Sequence, residues 1–140
     1  MVALMASAAS FAGMANEREQ PMHSIRIILG EHIISATLED NPSTRDFLAQ
    51  LPLSFDLDDY SSTEKIAYLP HKLATTGAPA GVDPKVGDVT YYAPWGNLAI
   101  FYRDFGYSRG LIRLGRITDG LEHFGYSGSR QVRVELVSVD

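Results

Sequence analysis

The chain has 140 residues, of which 45% are apolar and 21% are charged, and its formal net charge is -5. This length suits one ordinary domain and leaves no room for two. The composition is typical of a globular protein rather than of a disordered chain or an integral membrane protein. Because phosphate binding needs a basic face, the acidic balance argues against nucleic acid as a partner.

The cysteine and histidine content limits the kinds of site that the chain can build. With no cysteine in the sequence, disulfides, thiolate nucleophiles and zinc-thiolate sites are excluded. The four histidines are scattered, and no two have the i, i+4 spacing that places two metal ligands on one helix face. They are His23, His32, His71 and His123. We expect neither a metal site nor a cofactor.

Residues 1–23 differ in composition from the rest and are interpreted as a leader. Residues 2–15 are rich in Ala, Met, Leu and Ser, and Gly13 and Ala15 have the small size that a signal peptidase accepts. No Lys or Arg precedes this apolar run, although a signal peptide normally starts with a charged segment, and the run is shorter than the about 20 residues of a membrane-spanning helix. A signal peptide and a disordered leader both remain open, and so do a cytoplasmic and an exported, periplasmic location. Residues 24–140 form the predicted domain.

The domain begins with a predicted β-hairpin and a short amphipathic helix. Residues 25–38 form two strand-like runs separated by Gly30 and the residue after it. Asn41 or Ser43 can cap the helix that follows, and Pro52 ends it because the residue before a proline is disfavoured in the α region.

The middle of the chain predicts two further strands and a long loop. Residues 53–57 alternate apolar and polar side chains, as a half-buried strand does, and residues 65–69 form a weaker strand candidate. Residues 70–87 are rich in glycine and proline. A loop of this length often walls or covers a pocket.

The aromatic segment 87–103 predicts two strands joined by a turn at residues 94–97. Both faces of these strands carry apolar or aromatic side chains, which suits a sheet that is curled into a barrel or covered on both sides. The remaining predicted elements are a loop at 106–110, a strand at 111–116, a helical turn at 119–124 and a strand at 131–139. One short amphipathic helix, one helical turn and seven or eight short strands predict a mainly β domain, either a small barrel or a strongly curled sheet.

The run from Gly87 to Tyr102, followed by Leu114-Gly115-Arg116-Ile117, resembles the bacterial cyclophilin-like fold proteins. Upstream similarity extends the resemblance to about residues 25–139. It implies a small, closed or nearly closed cyclophilin-like β-barrel with a helix packed at one end. It implies no activity, because fold and function separate in groups of this kind.

True cyclophilins isomerise X-Pro bonds with an arginine beside an apolar, aromatic-lined pocket. The run Phe101-Tyr102-Arg103 is similar to their Phe-His-Arg run but lacks the histidine. We therefore assign no catalytic role to Arg103 and no catalytic residue elsewhere in the chain.

Five residues in and near the aromatic segment are candidates for lining a groove. Strand aromatics usually pack the core, whereas Trp95 lies in a turn where burial is less automatic. Asn97 either holds this turn or reads a ligand amide, and Arg113 either faces a ligand carbonyl or carboxylate or pairs with a surface acid. The candidate ligand-binding residues are Tyr92, Trp95, Asn97, Phe101 and Arg113.

Three functions follow from these observations. The leading hypothesis is a non-catalytic binding module that holds a small molecule or an extended peptide in an aromatic-lined groove. The second is a divergent peptidyl-prolyl cis-trans isomerase, because a shaped apolar pocket with one donor to the amide could suffice for an amide rotation. The third is assembly through an exposed barrel edge.

Overall fold

Ten β-strands, one α-helix and one 3-10 helix are found between residues 22 and 137, the range that the computed structural model describes. In chain order they are β1 (Met22–Leu29), β2 (His32–Glu39), α1 (Pro42–Ala49), β3 (Leu53–Tyr60), β4 (Glu64–Tyr68), β5 (Gly81–Val82), β6 (Asp88–Tyr92), β7 (Asn97–Phe101), β8 (Ser108–Arg109), β9 (Leu111–Asp119), the 3-10 helix (Leu121–Phe124) and β10 (Ser129–Leu136). The predicted signal peptide or leader spans residues 1–23, and its residues 1–21 lie outside the described range. That assignment stays a prediction, and β1 already includes Met22 and His23.

The eight longer strands close into an antiparallel barrel in the order β1-β10-β3-β4-β7-β6-β9-β2. The first hairpin pairs β1 with β2 along their whole length, and the C-terminal strand β10 closes the barrel by inserting between β1 and β3. The mainly β, closed barrel predicted from the sequence is confirmed. Each of these eight described strands has two neighbours, so none presents the free edge that the assembly hypothesis requires.

The hydrophobic core fills the inside of the barrel. Side chains alternate between the two faces of each strand, so β2 directs Ile34, Ala36 and Leu38 inward, where all three are buried. Phe47 of α1 and Phe124 of the 3-10 helix are also fully buried in this core, which fixes both helical elements against the barrel.

Helix α1 begins and ends close to the positions that the sequence predicts. The Asn41 side chain accepts a hydrogen bond of 2.8 Å from the backbone N–H of Thr44, which makes Asn41 the N-cap. Ser43 instead donates its hydroxyl to the carbonyl of Ala74 and thereby ties the helix to the long loop. The helix stops at Ala49, before the proline at position 52.

Strands β6 and β7 are covered on both faces, as the two-sided apolar pattern of the aromatic segment predicts, and the outer cover extends to β4 and β9. On the outer face, a second apolar cluster is formed by Ile66, Ala99, Phe101 and Leu111, with Val82 and Tyr92 packed against it. The short ribbon β5–β8 contributes to this cover, and its two strands approach closely because Gly81 has no side chain: a Cβ there would lie 2.4 Å from the carbonyl oxygen of Ser108. This outer layer creates the walls of the cavities described below.

The barrel interior also contains a buried charge, that of Lys65 on β4. Its side chain is 0% exposed, and Nζ lies 2.7 Å from Oδ1 of Asp59 on β3. The ammonium also donates to the carbonyl of Tyr126 and lies 3.9 Å from the centre of the Tyr126 ring. Tyr102 donates its hydroxyl to the same Asp59 oxygen. The ammonium and the carboxylate are therefore both held by several partners, as buried charges must be.

The pKa values in this cluster reflect these contacts. Burial alone would raise the pKa of Asp59, but the hydrogen bonds from Lys65 and Tyr102 outweigh it and hold the pKa below its usual range. Burial, followed by the neighbouring carboxylate of Asp59, raises the pKa of Tyr102 to about 12. The cluster is therefore one ion pair with a neutral tyrosine at neutral pH.

Candidate functional site

An open cleft of about 450 Å³ lies on the outer face of the barrel, within the range of small-ligand sites. Its floor comes from the outward side chains of the covered strands, and its walls come from β8, the turn between β6 and β7, and the loop that follows β7. It is lined by Tyr60, Glu64, Ile66, Tyr92, Trp95, Asn97, Phe101, Phe105, Ser108, Arg109 and Leu111.

Strand register explains why residues far apart in the chain meet on the cleft floor. Glu64 on β4 is the cross-strand partner of Phe101 on β7, and Tyr92 on β6 pairs with both Asn97 on β7 and Leu111 on β9. Cross-strand partners point to the same face of a sheet, so all five side chains are directed outward together.

Exposed aromatic rings form the mouth of the cleft. Trp95 is 49% exposed, and its ring meets Tyr60 and Tyr92 edge to face, with centroid distances of 5.9 and 5.5 Å. Phe105 is 53% exposed and stacks on Phe101 at 6.4 Å. A concave group of exposed aromatic rings is typical of a binding surface, because burying the rings in a complex is favourable.

Glu64 places a carboxyl among these rings. Within residues 22–137 its side chain is not engaged in a hydrogen bond or an ion pair, in contrast to Asp59 and Asp88, which both have cationic partners. Burial raises the pKa of Glu64 from 4.5 to about 7, because the cleft disfavours the charged form. The cleft therefore contains a carboxyl that changes its charge near neutral pH.

Asn97 adds a second acceptor at the cleft floor. The residue is 1% exposed, and its Nδ2 donates to the carbonyl of Leu98 at 3.0 Å. Its Oδ1 is buried and has no hydrogen-bond partner among the described residues. Buried acceptors are rarely left without a donor, so this oxygen is a lining atom whose hydrogen bonding is incomplete.

The structure brings four of the five sequence-predicted site residues together. Tyr92, Trp95, Asn97 and Phe101 all line the cleft, whereas Arg113 does not. Arg113 lies two positions beyond Leu111 on β9, where its Nε is 3.0 Å from Oδ2 of the buried Asp88. Arg113 therefore lies apart from the other four residues in this structure. Ligand binding by the five residues stays a prediction.

Arg113 instead lines a second cavity of about 460 Å³. This cavity lies between the start of α1, residues 76–79 of the long loop and β9, and Val82 and Ile112 contribute apolar surface to it. Because Nε of Arg113 donates to the carboxylate of Asp88, the positive charge on this side of β9 is paired within the fold.

Sequence reasoning missed Tyr60, Glu64, Phe105 and Arg109 as residues of the cleft. For Glu64 a local signal exists, because Glu64 and Ile66 share a face of β4 and Ile66 is apolar. For the others the signal is absent from the local sequence, since their placement depends on strand pairing and on the ribbon β5–β8.

Two of the scattered histidines come together in the fold, away from the cleft lining. The rings of His32 and His123 stack with their centroids 3.8 Å apart, and Nε2 of His123 lies 3.6 Å from a carboxylate oxygen of Glu122. Among residues 22–137, no group of three His, Asp or Glu side chains is arranged to hold a metal ion. The helices of this range are too short or too polar to cross a membrane.

The raised pKa of Glu64 predicts a pH dependence of stability. The pKa of the carboxyl is 4.5 when the chain is unfolded and about 7 when it is folded. Between these values the folded state binds more protons, so the free energy of unfolding should fall as the pH rises and level off above about pH 7. The carboxyl is partly accessible to solvent, which screens its charge, so we expect a total loss of about 1–2 kcal/mol.

Urea denaturation between about pH 5 and 8 measures this loss, with Glu64→Gln as the comparison. The variant has no carboxyl at this position and should lose less stability across the range than the wild-type protein. An identical pH slope in the two proteins would show that Glu64 titrates in the folded state as it does in the unfolded chain.

Comparison with known proteins agrees with the fold. A model of the Cyclophilin-like family matches residues 27–135, and no curated protein matches the chain significantly. Among solved structures, the solution structure of a hypothetical protein from Archaeoglobus fulgidus is similar, with a TM-score of 0.62 and 17% sequence identity. The alignment covers 86% of this chain and 98% of that one, and at this identity it shows a shared fold alone. Since the family model spans most of the chain, the protein belongs to the Cyclophilin-like family.

Proposed function

We propose that the protein is a binding module of cyclophilin-like fold that holds a small molecule or an extended peptide in the cleft beside Trp95. One observation carries this proposal: a large, half-exposed indole stands over a concave site together with two tyrosine rings. Sites for small ligands typically combine apolar walls with a few polar groups that orient the ligand.

The energetics favour occupation of the cleft. Each aromatic side chain that a ligand removes from water contributes on the order of 1–2 kcal/mol at about 25 cal/mol per Å². Glu64, Asn97, Ser108 and Arg109 supply acceptors and donors on different sides, which fixes orientation more than it adds affinity. The cleft thus has the two components that specific binding requires.

Fluorescence of Trp95 tests the proposal, because this residue is the only tryptophan in the chain. Titration with small metabolites and with proline-containing peptides should shift the emission and saturate for a true ligand. For such a ligand, Trp95→Ala should weaken binding at least about tenfold in calorimetry, which corresponds to about 1.4 kcal/mol.

Tyr68→Ala is the matched control for this variant. Tyr68 is 61% exposed and lies on β4, but it does not line the cleft, so the affinity of Tyr68→Ala should equal that of the wild-type protein. A ligand that calorimetry detects, that leaves Trp95 emission unchanged and that binds Trp95→Ala normally would place the binding site elsewhere.

The alternative function, a divergent peptidyl-prolyl cis-trans isomerase, is favoured by the donors on β8. Ser108 and Arg109 line the cleft opposite apolar side chains, where a donor could stabilise a twisted prolyl amide. The reaction is a rotation with a barrier of about 18–20 kcal/mol and needs no nucleophile. A protease-coupled assay over several X-Pro peptides tests it: acceleration that Arg109→Ala abolishes would support isomerase activity. An unchanged rate at high protein concentration would reject it.

A further inference from the structure

The polar groups of the cleft lining differ in their hydrogen-bonding capacity, and those at its inner part are acceptors. Glu64 offers a carboxyl without a partner among the described residues, and Asn97 offers a buried Oδ1 that no donor satisfies. The amide nitrogen of Asn97 is already used by the carbonyl of Leu98. Glu64 is therefore the lining group that a ligand with N–H or O–H donors can satisfy.

The walls around these acceptors are aromatic faces and edges. Trp95 is flanked by Tyr60 and Tyr92 at interplanar angles of 82° and 77°, so the three rings form an angled enclosure rather than a flat stack. Aromatic enclosures attract cations through the negative faces of the rings, and tryptophan is the strongest contributor. A nearby carboxylate adds an opposite charge to the same attraction.

We propose that the cleft selects a small organic ammonium ligand, a primary or secondary amine attached to an apolar or aromatic body, an inference that rests on the binding function proposed above. The ammonium group would donate to Glu64 beside the rings of Tyr60 and Trp95, and the apolar body would contact Ile66, Phe101 and Leu111. The volume of about 450 Å³ fits a small molecule, and the exposed rings of Trp95 and Phe105 border the opening.

Arg109 carries a positive charge into the same cleft lining and would oppose a cation. Arg109 is exposed on β8, whereas Glu64 is partly buried among apolar side chains. Water screens an exposed charge, and a charge in a less polar setting acts more strongly at short range. The carboxylate of Glu64 therefore dominates recognition inside the cleft, and Arg109 acts at its rim.

Ligand affinity should depend on pH, because the ammonium requires ionised Glu64. The other charged or titratable lining residues are Tyr60 on β3, Tyr92 on β6 and Arg109 on β8. Asp59 and Lys65, the chain neighbours of this site, form their ion pair inside the barrel. Because burial raises the pKa of Glu64 to about 7, the affinity for an amine should fall about tenfold from pH 8 to pH 6.

Three probes with one phenyl scaffold test the inference: phenethylamine, phenethyl alcohol and hydrocinnamate, which are a cation, a neutral molecule and an anion. In calorimetry at about pH 8, we expect phenethylamine to bind the full chain at least about tenfold more tightly than phenethyl alcohol, with hydrocinnamate the weakest. Glu64→Gln should abolish this preference and its pH dependence, and any remaining binding of phenethyl alcohol to the variant reports an intact cleft. Glu122→Gln, an exposed carboxyl on the 3-10 helix outside the cleft lining, is the matched control and should behave as the wild-type protein.

A second measurement needs no variant. Near pH 7, phenethylamine binding should release protons from Glu64, which calorimetry in two buffers of different ionisation enthalpy detects. Absence of proton release together with pH-independent affinity would overturn the inference.

The possible failures are distinguishable. Phenethyl alcohol binding as tightly as phenethylamine, or hydrocinnamate binding more tightly, would overturn the ammonium assignment and leave the binding function standing. A blocked lysine peptide that binds more tightly than phenethylamine would overturn the assignment to a small molecule. If no probe, metabolite or peptide perturbs Trp95 or produces heat, the proposed function fails as well.

Discussion

Replacing Asp59 with asparagine should lower the free energy of unfolding by about 3–5 kcal/mol, because it leaves the buried ammonium of Lys65 without its carboxylate. The side chain of Lys65 is 0% exposed, so water cannot readily replace the lost charge, and only the neutral asparagine amide, the Tyr126 carbonyl and two aromatic rings remain around Nζ. The same loss should lower the melting temperature by on the order of 10–20 °C. Since β4 carries Lys65 inward and Glu64 outward, the ion pair also holds the strand that positions the cleft carboxyl.

Chemical denaturation measures this effect, and an exposed ion pair of the same chain is its control. Asp83 and Lys85 are 3.2 Å apart with side chains more than half exposed, so Asp83→Asn should change stability by less than about 1 kcal/mol. The double variant Asp59→Leu, Lys65→Met should be less destabilised than the sum of its single changes, because no uncompensated charge remains. A small effect of Asp59→Asn, similar to that of Asp83→Asn, would show that Lys65 does not depend on Asp59.

Gly115→Ala should destabilise the barrel by at least about 3 kcal/mol, at the upper end of overpacking effects. Gly115 on β9 pairs with Leu38 on β2, and a Cβ at this position would lie 2.0 Å from the carbonyl oxygen of Thr37 and 2.6 Å from the Cα of Leu38. Both atoms belong to the backbone of β2, which is hydrogen-bonded on its other side to β1. The clash therefore cannot be relieved by rotating a side chain. It must disrupt either the β2–β9 pairing or the closure of the barrel.

Circular dichroism and thermal melting test this prediction, with Gly125→Ala as the comparison. A Cβ at Gly125 would have an ordinary contact of 3.6 Å, and the backbone φ of -77° suits any residue, so this variant should change stability by no more than about 0.5 kcal/mol. If Gly115→Ala melts at the wild-type temperature, β9 does not approach β2 as closely as described.

The elements that local patterns specify were predictable from the sequence. Alternation along residues 25–38 gives the first hairpin, and Asn41 and Pro42 start the helix because their chemistry acts on adjacent backbone groups. The two-sided apolar pattern of β6 and β7 indicated strands covered on both faces, and those strands lie in the closed barrel.

Only the part of the candidate site that lies within the β6–β7 hairpin was predictable from the sequence. Tyr92, Trp95 and Asn97 lie within six residues of one another, so the β6–β7 turn brings them together without any distant contact. The position of Arg113 depends on the register between β6 and β9, which shifts between Val89 and Thr90. Its guanidinium pairs with Asp88, and the residue does not line the cleft.

Other features depend on pairings between distant segments. Glu64 enters the cleft because β4 pairs with β7, and Arg109 enters it because β8 pairs with β5. Lys65 is buried only because Asp59 and the Tyr126 carbonyl meet it inside the barrel. Neither contact is visible in the local sequence, where a lysine in a weak strand indicates exposure.

Two-dimensional amide NMR during titration with a bound ligand or with phenethylamine shows whether the outer cleft is the ligand site. We expect shifts concentrated at the Trp95 indole N–H and at the amides of Tyr92, Asn97 and Arg109. Shifts concentrated instead around Ser43, Ala78 and Arg113, at the second cavity, or no shifts with any ligand that binds, would contradict this expectation.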